Sequence, residues 1–377
     1  MRCRPCRTPV RLCRRNPPFG LTRATPRRCS CGNRGCAMRR PVALLAMRRE
    51  LPTQLFTADQ WRQLNQLVDL ATPEPVQDFA DVPDRVLAEV EVVISGWKAP
   101  QMDAALVRRA PALRAIVHVA GTVKPYVDRE VWYRGIAVTS CAAANAVATA
   151  EFTLGAILLS GKRIFEYACN YVADRAKTYK VNPPAWPWLG NYGRQVGIVG
   201  ASWVGRRVIK LLQAHDMPVR LYDPYLSRAE ADRLGVELAP DLVDLLSTCD
   251  IVSLHAPLTD ETRGMVGASE LAAMPDGSVL INTARGGLVD TEALTAELLT
   301  GRLTAVLDVT EPEPLPADSP LYKLAERGTV LLTPHVAGSL GGELHRMAEY
   351  ALAELRCYTA GWPFHGAHLA ENLDISA

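Results

Sequence analysis

From Gln195 to Thr333, six short apolar runs recur, with helical segments between them. They are QVGIVG (195–200), VRLYD (219–223), IVSLH (251–255), SVLIN (278–282), LTAVLDV (303–309) and TVLLT (329–333). Runs of this length with little polar alternation read as strands covered on both faces. The first intervening segment, Trp203 to Ala214, places Val204, Val208, Leu211 and Leu212 on one side of a helix. The natural solution for such alternation is a doubly wound parallel sheet, a Rossmann-type α/β domain. Sheets of this kind bind ligands beyond the carboxyl ends of their strands.

A smaller α/β unit precedes it. Thr57 to Leu70 reads as a helix with Trp61, Leu64, Leu67 and Val68 on one face. Glu91–Ser95, Leu113–Val119 and Ile136–Thr139 read as strands, and Asp103–Ala110 as a helix. A long apolar helix is expected over Ala142–Lys162, then an irregular arm over Glu166–Asn191 carrying Trp186 and Trp188, then a final helix over Gly342–Tyr358. A chain of 377 residues accommodates two such domains.

Composition excludes several classes. With 48% hydrophobic and 22% charged residues the chain is neither disordered, collagen-like nor a coiled coil. The most apolar stretch, Val138 to Gly161, is interrupted by Glu151, so no membrane span is expected. The fourteen arginines of residues 1–49, with no acidic residue among them, mask a net charge of −12 over residues 50–377. An acidic body offers no basic face to nucleic acid.

Residues 1–49 are read as an Arg/Cys-rich extension outside the fold, disordered or translated from a start placed too far upstream, with Met38 and Met47 as alternative starts. Other readings are a zinc site on Cys3, Cys6, Cys29 and Cys31, a transit peptide, or a signal whose apolar part would be Pro41 to Met47. The remaining cysteines, Cys141, Cys169, Cys249 and Cys357, form no CxxC pair; no metal is expected, and the usage fits a cytoplasmic location.

Gly200-Ala201-Ser202-Trp203-Val204-Gly205 follows a strand and opens a helix, the setting of a dinucleotide-binding loop. Helix-start amides would hold the pyrophosphate. Gly200 allows the tight turn and Gly205 the close packing of helix on strand. Ser202 replaces the middle glycine, and its hydroxyl can donate to a phosphate oxygen. Asp223 ends the second strand, where a carboxylate accepts from ribose hydroxyls; the plain alternative is a carboxylate that only caps a turn. An NADP 2′-phosphate there would meet repulsion of about 4 kcal/mol per charge pair, so NAD is expected, with Arg228 nearby as a countervailing charge.

Three polar motifs end the last strands: Asn282-Thr283-Ala284-Arg285-Gly286-Gly287, Asp308-Val309-Thr310-Glu311-Pro312-Glu313-Pro314 and Thr333-Pro334-His335-Val336-Ala337-Gly338-Ser339. Singly each has a bland reading: a surface arginine, a solvated acidic turn, a structural histidine. Together they bring a guanidinium, a carboxylate and an imidazole to one sheet edge. Arg285 can hold a substrate carboxylate bidentately. His335 can pass a proton to or from a reacting oxygen. Glu313 is the candidate to orient its ring and favour the imidazolium.

From about residue 90 onward the segments VGIVGASWVG, LYDPY, VSLHAPLTDETRGMVG, LINTARGGLVD, LDVTEPEPLP and TPHVAGS resemble the D-isomer-specific 2-hydroxyacid dehydrogenase family. The resemblance implies that Arg285, Glu313 and His335 are catalytic and that Asp308 lies on the nicotinamide side. Cofactor contacts would fall on Trp203, Val204, Asp223, Pro257, Thr283, Ala284, Arg285 and the loop from His335 through Gly338 and Ser339. A substrate-carboxylate loop would fall on Val119, Ala120, Gly121 and Thr122. It also implies a flavodoxin-like substrate domain, discontinuous in sequence: residues 50–144 and 336–377 around an NAD domain at 145–335. The long helix and the Trp-rich arm would form a homodimer contact.

Departures from the family are Ser202, the segment Val123-Lys124-Pro125-Tyr126 after the substrate loop, and a weak match over residues 50–90. No regulatory C-terminal domain is expected. Glu313 stands where formate dehydrogenases carry glutamine, which argues against formate. The activity so implied is hydride transfer between NADH and a 2-oxo acid/D-2-hydroxy acid pair. The alternatives are an NAD-sensing, corepressor-like protein on the same scaffold, or another reaction of the family such as phosphonate oxidation.

Overall fold

The computed structural model describes residues 39–175 and 189–372. The head before residue 39, and the part of the arm that holds Trp186 and Trp188, lie outside the described residues.

The strands are β1 Val42–Ala46, β2 Asp69–Leu70, β3 Val92–Ser95, β4 Ala115–His118, β5 Ala137–Ser140, β6 Val196–Val199, β7 Val219–Tyr222, β8 Glu237–Leu238, β9 Ile251–Leu254, β10 Val279–Asn282, β11 Thr304–Leu307, β12 Val330–Leu332 and β13 Ala367–His368. They form two sheets. The first runs β13-β5-β4-β3-β1-β2, parallel except for β13, which is antiparallel to β5. Without β13 this is the flavodoxin-like strand order. The second runs β12-β11-β10-β9-β6-β7-β8 and is parallel throughout. Its order reverses between β6 and β9, so the crevice where a Rossmann sheet binds its ligand opens beside Val199 and Leu254. Both sheets belong to one compact unit that starts at Arg40.

Both sheets are covered on two faces, which is why their strands lack polar alternation. In β10, Leu280 faces one core with Leu254 and Leu288. Val279 and Ile281 face the other, with Val208 and Leu212 of the helix Trp203–Leu212. The helix Ala142–Ser160 is long and apolar enough to cross a membrane. Here it serves as a core helix, since Ala150, Ala156 and Ile157 pack in that second core.

Three expectations need correction. The boundary at residue 49 falls too late, because β1 lies between β2 and β3 inside the first sheet, with Ala43 and Leu44 fully buried. A chain begun at Met47 would lack that strand. The run VALLA is too short to be told from a failed signal core by periodicity. The segment after residue 163 is not irregular throughout: Ile164–Asp174 is a helix with no buried residue. Its pattern was obscured by the aromatic and proline residues that follow. The six β-runs of the second sheet are joined by a seventh strand, β8. It has two residues, as does β13, too few for any period to register.

Candidate active site

At the crevice, Gly200 adopts φ +98°, and a Cβ on it would lie 2.7 Å from the backbone nitrogen of Ala256. A Cβ on Gly205 would lie 2.1 Å from the Gly200 carbonyl oxygen. Both positions therefore exclude a side chain, one for the turn and one for the approach of helix to strand. Ser202 is the N-cap of the helix Trp203–Leu212: its Oγ accepts from the Gly205 amide at 3.3 Å. As an acceptor there it keeps its own proton to donate. Trp203 follows, 54% exposed, with Val204 half-buried.

The Asp223 carboxylate accepts from the amides of Ala201 at 2.7 Å and Tyr225 at 2.9 Å. It thus caps a turn and ties β7 to the glycine-rich loop. Each oxygen keeps a second lone pair for a ribose hydroxyl. The Pro257 carbonyl accepts from Thr262 Oγ1 at 2.6 Å, which closes the loop after β9.

The loop after β10 is shaped by its own side chains. Asn282 Oδ1 accepts from the Ala284 amide at 3.0 Å, and Asn282 Nδ2 donates to the Arg285 carbonyl at 2.8 Å. Thr283 Oγ1 lies 3.0 Å from Thr153 Oγ1 on the long helix. Thr153 donates to the Thr149 carbonyl, so Thr283 is the donor between the two hydroxyls. Arg285 Nη1 donates to the Ala284 carbonyl at 2.7 Å. Burial lowers the pKa of the Arg285 guanidinium from its ordinary value, and the charge of Glu313 opposes that shift.

The loops after β10 and β11 are in direct contact. A Cβ on Gly286 would lie 2.1 Å from the Thr310 carbonyl, and one on Gly287 would lie 2.1 Å from Glu311 Oε2. An Arg263–Glu311 ion pair of 2.7 Å covers the same place.

His335 follows β12 with φ +56°, a conformation few non-glycine residues adopt. Asp308 holds it there. The His335 amide donates to the Asp308 carbonyl at 2.8 Å. The buried Asp308 carboxylate accepts from Thr333 Oγ1 at 2.7 Å, from Val336 N at 2.8 Å and from Ala337 N at 2.9 Å. Its carboxylate thus shapes the histidine loop.

His335 Nδ1 lies 2.8 Å from Glu313 Oε1, with the two side chains 51% and 44% exposed. Nε2 is thereby the ring nitrogen left for another partner. A cavity of about 500 Å³ opens beside the pair, lined also by Asp308, Leu315, Leu332 and Thr333. Arg285 is not among its walls; the charge of Glu313 and the packed glycines link it to the pair.

The loop after β4 approaches the same region. Ala120 is buried, while Gly121 and Thr122 are half-buried. Among the described residues no protein acceptor takes the amides of Gly121 and Thr122. Asn145, near the start of the long helix, lies between this loop and the histidine loop. Its Oδ1 accepts from the Ser339 amide at 2.8 Å. Its Nδ2 would touch a Cβ on Gly121 at 3.6 Å and one on Gly338 at 3.4 Å. Ser339 Oγ is buried with no hydrogen-bond partner among the described residues.

A dinucleotide fits these residues. Gly200 and Gly205 let the helix Trp203–Leu212 start close against β6, its first turn presents amides to an anion, and Ser339 Oγ lacks a partner among the described residues. The comparisons agree. The family described as D-isomer specific 2-hydroxyacid dehydrogenase, NAD binding domain, matches residues 154–337. A glyoxylate reductase of Korarchaeum cryptofilum is 35% identical over 261 residues, 69% of this chain and 77% of that protein. The chain belongs to the D-isomer-specific 2-hydroxyacid dehydrogenase family.

A D-3-phosphoglycerate dehydrogenase of Methanocaldococcus jannaschii is 33% identical over 254 residues, 67% of this chain. The aligned part is 46% of that relative, so the chain spans about half its length. The crystal structure of a phosphoglycerate oxidoreductase from Rhizobium etli superposes with a TM-score of 0.72 at 26% identity, covering 87% of this chain and 98% of that one.

Within this dehydrogenase fold, three features escaped the sequence reading. Asn145 interrupts an alanine-rich helix start, which is a polar signal but one without a visible partner. The roles of Asp308 in shaping the histidine loop and of Arg263 in covering Gly287 depend on contacts between separate loops.

Proposed function

We propose that the protein is an NAD-dependent oxidoreductase that interconverts a 2-oxo acid and its D-2-hydroxy acid. The observation that carries this reading is the 2.8 Å contact between Glu313 Oε1 and His335 Nδ1. It leaves Nε2 to exchange a proton with a substrate oxygen while a carboxylate stabilises the charged ring. In reduction, Arg285 holds the substrate carboxylate and polarises the adjacent carbonyl. Protonated His335 delivers its proton to the carbonyl oxygen, and Glu313 stabilises the imidazolium beforehand. The amides of Gly121 and Thr122, which have no protein acceptor among the described residues, would also receive the carboxylate. When bound, NADH supplies the hydride that the carbonyl carbon accepts. Trp203, Val204, Asp223, Pro257, Thr283, Ala284 and the Gly338–Ser339 turn would hold it.

The Asp223 carboxylate favours NAD over NADP. Four free cysteines among the described residues fit a reducing, cytoplasmic setting. The helix Ile164–Asp174 exposes Ile164, Tyr171 and Val172, and Leu159 is exposed just before it. A homodimer that covers this apolar face is the expected assembly.

The test is turnover of NADH with a panel of 2-oxo acids headed by glyoxylate. His335→Ala is expected to lose about 10²–10⁴-fold in kcat. Wild-type turnover in that variant, or none in the wild type on any 2-oxo acid, would overturn the reading.

A further inference from the structure

The closing helix Leu344–Thr359 carries Glu354 and Cys357 three residues apart, hence on one face. After the helix the chain turns back. His365 and Gly366 cross that face before β13 pairs with β5. The Glu354 carboxylate, 1% exposed, accepts from the amides of His365 and Gly366, each at 3.0 Å. Tyr350 also hydrogen-bonds to it. Cys357 is buried beside it, and the His365 side chain, 58% exposed, covers the pair from solvent.

The three ligand atoms lie within 4.8 Å of one another. Cys357 Sγ is 3.4 Å from His365 Nδ1, and His365 Nδ1 is 3.6 Å from Glu354 Oε1. A tetrahedral zinc ion with bonds of about 2.0–2.3 Å separates its ligands by about 3.3–3.6 Å. These two edges already have nearly that length. We propose that Glu354, Cys357 and His365 form a binding site for zinc, with water as the fourth ligand.

The ligand set selects the metal. A thiolate and an imidazole suit zinc and disfavour magnesium and calcium, which prefer oxygen. Zinc displaces the thiol proton to solvent and forms the S–Zn bond, with no change of oxidation state. The exposed imidazole edge provides the entry path. Bound there, the ion would fasten the β13 segment to the closing helix, away from Arg285 and His335, as a structural rather than a catalytic metal.

A plain S–H···N hydrogen bond would produce the same 3.4 Å, and metal titration separates the two. The full chain is stripped of metal under reducing conditions and titrated with Zn²⁺ and with Co²⁺ as a spectroscopic probe. The head cysteines supply thiolates of their own, so the readout is the difference between wild type and variants. At a hundredfold excess over its Kd, zinc is expected to raise the wild-type unfolding midpoint by several degrees. His365→Gln, on an exposed side chain, is expected to fold, to keep wild-type NADH turnover, and to weaken this response at least tenfold. Cys357→Ser is expected to lose one cobalt–thiolate charge-transfer contribution. Equal zinc shifts and equal cobalt spectra in wild type and His365→Gln, or no zinc response in the wild type, overturn the proposal.

Discussion

Asn145 Oδ1 accepts a hydrogen bond from the backbone amide of Ser339 at 2.8 Å, across 194 residues of sequence. Asn145 lies where the chain leaves the first sheet for the second, and Ser339 where it returns. With Asn145 Nδ2 beside Gly121, this side chain ties the loop after β4, the proposed substrate-carboxylate loop, to the loop that carries His335. Asn145→Ala would leave the part-buried Ser339 amide without an acceptor, a cost of about 1–3 kcal/mol. Catalytic efficiency is expected to fall about tenfold or more, with a modest loss of stability. Steady-state kinetics and urea unfolding of the same preparation check it; unchanged kcat/KM would show that the contact serves stability alone.

Glu313→Gln keeps a hydrogen-bonding group at His335 Nδ1 but removes the charge that stabilises the imidazolium. An amide can also present its NH₂ to the ring and favour the wrong tautomer. A fall in kcat of about 10²-fold or more is expected, with NADH affinity unchanged because Glu313 is not among the residues proposed to hold the cofactor. Fluorescence titration of NADH beside single-turnover rates separates the two quantities. Equal losses of binding and rate would place Glu313 in cofactor binding instead.

Much of this site was legible because its parts are local. The glycine loop, Asp223 and the motifs around Arg285, Glu313 and His335 each occupy a few consecutive residues at the end of a strand, and strand ends are visible as the close of an apolar run. Contacts between loops were not legible. The hold of Asp308 on the His335 loop, the packing of Gly286 on Thr310, and the place of Asn145 all join segments far apart in sequence. β1 escaped for a different reason: five apolar residues behind an arginine-rich head carry too little periodicity to distinguish a buried strand from a targeting segment. The Glu354–Cys357–His365 cluster needed the chain reversal after Gly361, which no spacing rule anticipates.

Gly205 tests the dinucleotide loop directly. A Cβ there would lie 2.1 Å from the Gly200 carbonyl oxygen, which is backbone and cannot swing aside. Gly205→Ala must therefore push the helix Trp203–Leu212 off β6 and displace the first-turn amides. A stability loss of about 1–3 kcal/mol is expected, along with at least a tenfold weaker Kd for NADH. Calorimetric binding on protein shown to be folded checks it. Ser202→Gly is the contrasting variant: it removes the N-cap acceptor, costs only a few tenths of a kcal/mol, and should leave NADH binding within a fewfold of wild type.

The buried histidines set an acid limit. Burial lowers both His118 and His255 from 6.5 to about 3, and each is neutral in the folded protein. Each ring meets a serine hydroxyl, Ser95 at 2.9 Å and Ser253 at 3.0 Å. Between pH 6.5 and about 3 the unfolded chain binds protons at these positions that the folded chain does not. Stability therefore rises with pH across that window and is lost as pH falls below 6.5. The slope approaches about 1.4 kcal/mol per pH unit for each histidine. Urea unfolding at several pH values from 7.5 down to 5 should show the midpoint dropping from near pH 6.5, above the range where carboxylates titrate. A midpoint that stays flat to pH 5 would mean that neither ring is held neutral by the fold.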